Sequence, residues 1–291
     1  MEDYLIKATA EGVRIYALVT TGLVQEANER HQCSHLSIAA LGRAMNGALL
    51  FAATMKDNER VTLRFSGDGP LGDVVADAEG THVRGYVENP NVFLPLKNGK
   101  LDIGNGVGKG TLTVTRFLTN AEPFNGFCDL TDGEIASDLT NYLYTSEQTP
   151  ASVALGVMVD KDGKVMAAGG WFIQAMPDCA EEVLVKLENN VMSMPYVTEL
   201  LNAGFTPEKI IMKISEGLEL SIKEKLPVDF KCRCNREKVI DMLAGLSPKE
   251  LSEMEQDEET EVHCQFCNEI YKFNTEEIRA VKNKISDNTL D

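Results

Sequence analysis

Four of the seven cysteines in this chain fall in two close pairs near its end. They are Cys232-Arg233-Cys234 and, after the 29 residues from Asn235 to His263, Cys264-Gln265-Phe266-Cys267. Four soft thiolates in two pairs match the tetrahedral preference of zinc, and the intervening stretch is long enough to fold back and join them. Two local disulfides, or four free thiols, are the bland alternative. A Cys-x-x-Cys pair is the usual half of a zinc ribbon. Cys232 and Cys234 are only two positions apart, which is less usual for a purely structural site. Residues so spaced lie roughly 5.5–7 Å apart, so a bridge between them is possible but strained. Each pair could therefore close on itself once a metal leaves. Zinc holds sulfur as thiolate, the form that oxidants attack, so the site reads as a redox sensor as well as a staple.

The segment carrying these cysteines, residues 232–291, has few large apolar residues and cannot rely on a core alone. A structural zinc contributes roughly 10–16 kcal/mol of apparent binding energy in small peptides, and that energy is folding energy. Chemistry at sulfur thus becomes a change of conformation. Within the segment, Ser247-Pro248-Lys249-Glu250 reads as a capping box with proline at the first helical position. Residues 262–273 read as a hairpin around the second pair, and Asn274 with Glu277 as the cap of a last helix bearing Ile278, Val281 and Ile285. The segment holds 14 acidic and 8 basic residues, and its acidic run from Glu253 to Glu261 reads as a solvated face.

The rest of the chain reads as α+β: an N-terminal α/β body with mixed sheets over 1–177, a helical linker region over 178–231, and the small metal module. Strands are expected at 4–8 and 13–19 around Glu11-Gly12, then at 61–65, 73–78, 83–87 and 111–117. Ile38, Leu41, Met45, Ala48, Ala52 and Met55 recur at steps of three and four and mark a long helix over 34–55. Residues 134–144 are helical in character, and Asp160-Lys161-Asp162-Gly163 joins strands 153–159 and 165–173 as a hairpin. In the middle region, Asp178 with Glu181 reads as a capping box. Pro195 and Thr206-Pro207 open two further short helices, stopped near Gly204 and Gly217. Three short helices make a poor core by themselves. They must lie on the body, which makes them candidates for conditional exposure.

Composition narrows the function. A net charge of −17 argues against a nucleic-acid partner. Met1-Glu2-Asp3 lacks the basic and apolar regions of a signal peptide, and Arg43 and Asn46 interrupt the most apolar stretch, so neither export nor a membrane span is expected. Paired free thiols then point to a reducing cytosol. The stretch Gly104-Asn105-Gly106-Val107-Gly108-Lys109-Gly110 fails as a phosphate loop: Ile103 stands where glycine is required and Gly110 where Ser or Thr is required. It reads as a flexible loop. Cys33, between His31 and His35, and the lone Cys128 and Cys179 read as incidental thiols, and His263 as a minor alternative ligand. No enzyme signature is present. A thiol oxidoreductase using Cys264 and Cys267 would need a lowered thiol pKa at a helix start, whereas this pair lies in a strand-like stretch beside an acidic run.

Several motifs resemble one family. Phe230-Lys231-Cys232-Arg233-Cys234 and Cys264-Gln265-Phe266-Cys267, followed by Tyr271 and Phe273, carry the resemblance in the module. Leu41-Gly42-Arg43-Ala44, Gly67-Asp68-Gly69-Pro70, Gly85-Tyr86-Val87, Tyr144-Thr145-Ser146-Glu147-Gln148-Thr149-Pro150 and Gly169-Gly170 with Gln174 and Pro177 carry it in the body. Over its whole length the chain resembles the redox-regulated heat shock chaperones of about thirty-three kilodaltons, bacterial holdases activated by oxidation. The resemblance implies a reduced, inactive form with one zinc on Cys232, Cys234, Cys264 and Cys267. It implies that oxidant with mild heat releases zinc and forms Cys232–Cys234 and Cys264–Cys267 disulfides. The module then unfolds, the middle helices loosen, and exposed apolar surface binds unfolding proteins without ATP, the active form tending to dimerise. Val183, Leu187, Val191, Ile210 and Ile214 are candidates for that surface. Asn235 and Lys238 depart from the family's usual Ser and Arg, and are expected to alter contacts around the sulfurs.

Overall fold

The computed structural model describes residues 2–56 and 58–288, with side chains described as far as Asn283. It divides into two compact units, Met1–Lys231 and Cys232–Asp291.

The first unit begins with the expected hairpin, β1 (Tyr4–Ala10) and β2 (Val13–Val19), turning at Glu11 and Gly12, both with positive φ. Helix α1 (Thr21–His31) leads into α2 (His35–Ala52), where the Ser34 hydroxyl accepts from the Ser37 N–H. The periodicity of α2 suggested one apolar face, yet every residue of it except His35 and Arg43 is buried. A helix apolar on all sides belongs inside a core. Asn46, its one buried amide, is satisfied by the Thr20 hydroxyl at 2.6 Å and by the Gly169 carbonyl at 3.3 Å.

Strands β3 (Arg60–Gly67), β4 (Val74–Glu79) and β5 (His82–Val87) follow. Next come a short helix α3 (Ile103–Val107), β6 (Gly110–Phe117), β7 (Phe124–Asp129) and helix α4 (Ala136–Thr145). The glycine-rich stretch is therefore not a flexible loop. Asp102 caps α3, and Gly67, paired with Gly110 across β3 and β6, packs so tightly on it that a Cβ there would lie 1.9 Å from the Val107 carbonyl oxygen. The glycines serve close backbone approach, which no larger residue permits. Strands β8 (Ala151–Val159) and β9 (Val165–Ala175) form the expected hairpin, its turn held by two backbone N–H groups donating to Asp160.

Helices α5 (Glu181–Met192), α6 (Val197–Asn202) and α7 (Pro207–Ile214) are the three anticipated in the middle region. The expected capping box of α5 is absent: Ala180, not Asp178, is the N-cap and offers no side-chain acceptor, while Thr206 caps α7 as its position suggested. The region also contains strand β10 (Leu220–Pro227) and the two-residue β11 (Asp229–Phe230), so it is not helical throughout. One sheet runs β10-β1-β2-β9-β8 and the other β11-β5-β4-β3-β6-β7, antiparallel except where β11 meets β5. Val183 and Leu187 of α5, Val197, Leu200 and Leu201 of α6, and Ile210, Ile211 and Ile214 of α7 share one apolar core with Tyr4, Ile6, Ile15 and Ala17 of β1 and β2. The helices do lie on the body, through the residues named above as candidates for a client surface; Val191 is only partly buried there.

The second unit comprises α8 (Arg236–Leu243), α9 (Pro248–Met254), the hairpin of β12 (Glu259–His263) and β13 (Ile270–Asn274), and α10 (Thr275–Asn288). Both expected caps form: Ser247 and Glu250 exchange bonds reciprocally, and so do Asn274 and Glu277. The core is small, made of Val239, Leu243, Leu251, Phe273, Ile278 and Val281. Ile285, expected on the same face as Ile278, has its side chain outside the described residues. The acidic run is more than a solvated face. Glu255 accepts from Arg279 at 2.9 Å and Lys282 at 2.7 Å and so ties α9 to α10, while Glu259 and Glu261 each pair with Lys272 at 2.7 Å.

Candidate metal centre

Two short backbone features deliver the four sulfurs. Cys232 and Cys234 lie in the irregular stretch between β11 and α8, and Asn235 closes that stretch by accepting from the Lys238 N–H at 2.8 Å. Lys238 Nζ in turn donates to the Arg233 carbonyl at 2.8 Å. Asn235 and Lys238 thus shape the loop's backbone.

Cys264 and Cys267 occupy the turn between β12 and β13. The Cys264 carbonyl accepts from the N–H of Cys267 at 3.3 Å and of Asn268 at 2.7 Å, while the Cys264 N–H donates to the Glu269 carbonyl at 2.9 Å. Asn268 takes the left-handed conformation that such a turn needs. This turn projects both sulfurs to one side, towards the first pair.

The four Sγ atoms all lie within 4.8 Å of one another. Cys232 and Cys264 approach to 3.7 Å, and Cys234 and Cys267 to 3.4 Å. Four thiolates at the zinc–sulfur distance of about 2.3 Å would stand about 3.8 Å apart at the corners of a tetrahedron. The sulfurs present therefore fit a tetrahedral metal of that size. Cys267 is buried and the other three are half-buried. Burial pushes the Cys267 thiol far up from its ordinary value and Cys264 up as well. Desolvation, not the acidic run named in the sequence reading, is the leading cause; the charge acting on Cys264 is that of Cys232. Such a cluster holds thiolates when a cation compensates them and favours thiols without one.

His263 is not among the clustered ligands. It is exposed and stands 3.6 Å from Glu261. A side chain that does reach the cluster is Tyr271, whose hydroxyl donates to Cys234 Sγ at 3.2 Å, and this hydrogen bond is the leading cause holding the Tyr271 phenol above its ordinary value. Sequence alone gave Tyr271 no chemical role. Its place opposite Val262 in the hairpin, which strand alternation encodes, is the signal that could have found it. The remaining thiols lie apart from this group: burial pushes Cys33 up to about 12 and raises Cys128 and Cys179, and none resembles an activated nucleophile.

Comparison with known proteins agrees with this architecture. Residues 3–274 match the family model described as Hsp33 protein. The chain is 42% identical to the 33 kDa chaperonin of Desulforamulus reducens and 44% identical to that of Symbiobacterium thermophilum, each over 99% of both chains. The 33 kDa chaperonin of Listeria monocytogenes is 42% identical over 97% of this chain and 98% of its own. The crystal structure of the 33 kDa chaperonin from Thermotoga maritima superposes with a TM-score of 0.91 at 35% identity, covering 98% of this chain and 99% of that one.

Proposed function

The chain belongs to the Hsp33 family, which places it among chaperones rather than enzymes, and from that membership we propose that it is an ATP-independent holdase switched on by oxidation. The observation that carries the reading is the cluster of four sulfurs within 4.8 Å inside a unit whose described core is only six side chains. Cys232, Cys234, Cys264 and Cys267 hold one zinc ion in the reduced form. When bound, the metal supplies a positive charge that keeps the four sulfurs as thiolates and the module folded.

Oxidation consumes those thiolates. With peroxide as oxidant, each pair of thiols yields one disulfide, its two electrons and two protons turning one peroxide into two waters. The pairing is Cys232 with Cys234 and Cys264 with Cys267. Disulfide sulfur is a poor metal ligand, so the site loses its cation and the module its principal source of stability. Only Lys231 separates Cys232 from Phe230 of β11, and β10 and β11 continue the chain from α7. Disorder that spreads along this connection loosens the helices of 178–231 and uncovers Val183, Leu187, Ile210 and Ile214 to unfolding client proteins.

The active form works as a homodimer in the cytosol, without nucleic acid or membrane as partner; no helix among the described residues is long and apolar enough to cross a membrane. The test reads zinc content and suppression of a heat-denatured client's aggregation together, before and after peroxide at elevated temperature. One zinc per reduced chain, lost as suppression appears, is the expected result. Zinc retained, or lost without suppression, makes the site a structural staple and overturns the reading.

A further inference from the structure

Tyr271 stands on β13 opposite Val262 of β12, and its ring packs against the module core. Its hydroxyl points at Cys234, 3.2 Å from the sulfur. Nearby, Asn235 caps α8 and Lys238 Nζ binds the Arg233 carbonyl. A hydroxyl held by a packed ring on a hairpin strand is a fixed donor, and a fixed donor beside a reacting sulfur acts on its chemistry.

We propose that Tyr271 sets the oxidation threshold of the centre by donating a hydrogen bond from its hydroxyl to Cys234 Sγ and so slowing oxidant attack on that sulfur. The inference rests on the redox-sensing reading above and adds a residue that tunes it. In the attack, a lone pair on Cys234 Sγ forms an S–O bond as the O–O bond of hydrogen peroxide breaks. The thiolate becomes a sulfenic acid, and the departing hydroxide takes up a proton to leave as water. A neighbouring thiol then displaces the second oxygen as water and completes the disulfide, so two sulfur electrons reduce one peroxide. A hydrogen bond to Cys234 Sγ ties up sulfur electron density that must form the new S–O bond, and the hydrogen bond must loosen as the sulfur attacks. Tyr271 thus acts as a positioning residue, holding electron density on Cys234 back from the oxidant without being a metal ligand.

The test compares reduced, metal-loaded wild-type protein with Tyr271→Phe, which keeps the ring and removes the donor. Initial rates of modification at Cys234 and at Cys264, by peroxide and separately by iodoacetamide, are read by peptide mass spectrometry before metal is lost. The module's thermal midpoint is measured alongside. Faster modification at Cys234 by roughly tenfold, in excess of any change at Cys264, is expected from loss of one hydrogen bond to a charged group, with only the modest fall in midpoint that one such bond accounts for. Equal Cys234 rates in the two proteins overturn the proposal. So does a uniform rise at all four cysteines with a lowered midpoint, since that marks a packing role. A wild-type protein that releases metal without gaining suppression contradicts the chaperone reading instead, and the ratio of Cys234 rates still decides what Tyr271 does.

Discussion

Removing the metal from the reduced protein should unfold residues 232–291 and leave α2 and the sheet strands around it in the larger unit intact. The magnitude follows from the size of the module. About sixty residues at roughly 0.05–0.15 kcal/mol each amount to about 3–9 kcal/mol of total stability for an ordinary domain of that length. The module's described core is only Val239, Leu243, Leu251, Phe273, Ile278 and Val281. Its surface ion pairs, such as Arg236–Glu277, contribute at most about 1 kcal/mol each. A structural zinc on thiolates contributes about 10–16 kcal/mol, more than that whole expected stability. The metal-free module therefore lies on the unfolded side. Hydrogen exchange read by peptide mass spectrometry checks this after chelation, with metal loss verified independently. Peptides covering β12, β13 and α8 should lose protection while those of α2 keep it. Full protection of Glu259–Asn274 in verified metal-free protein would refute the reasoning, because packing alone would then hold the module.

Three further outcomes are expected. Asp138, fully buried, accepts from the backbone N–H groups of Thr131, Asp132, Gly133 and Ile135. Asp138→Ala leaves these donors stranded and should cost about 3–5 kcal/mol, seen as a lower urea midpoint at unchanged slope. Ile211, also fully buried, seats α7 on the body; Ile211→Ala should cost about 2–5 kcal/mol and give measurable aggregation suppression without oxidant. In the module, Glu250 is held below the ordinary glutamate value of 4.5 by Ser247, Glu255 by Lys282 and Arg279, and Glu277 by the Asn274 N–H and Arg236. A carboxyl whose folded pKa is depressed contributes stability that is present above its unfolded value and lost as pH falls through the folded one. The module should therefore weaken as pH drops below about 4.5, and Glu277→Gln should flatten that dependence in a series of thermal melts.

The legible parts of the fold were those in which local chemistry and tertiary environment agree. The α2 periodicity, the two hairpins of the five-stranded sheet, the Ser247–Glu250 and Asn274–Glu277 caps and the hairpin presenting Cys264 and Cys267 all carry their determinants within a few residues. What stayed hidden depends on distant partners. Strand β10 is half polar or charged and lies in a region expected to be helical; it is a strand because β1 offers a free edge, and its two lysines and its glutamate suit the exposed edge it then forms. Strand β7 shows no clear alternation, since Gly126 lies against the Tyr142 ring and Phe127 is exposed. Helix α8 was masked by the cysteines before it, although Asn235 is a good N-cap. The Asp178 box failed because the chain enters α5 through Ala180. At the sulfur site, the ligand types and spacing were readable. The Tyr271 contact depends on the hairpin register and was not.

The most direct test of the switch follows apolar exposure itself. Reduced protein and protein oxidised at all four module cysteines, verified by mass, would be titrated with a fluorescent dye that brightens on apolar surface. The account predicts a large rise on oxidation together with new hydrogen exchange in α5, α6 and α7. Four oxidised thiols with unchanged dye binding and protected helices would contradict it.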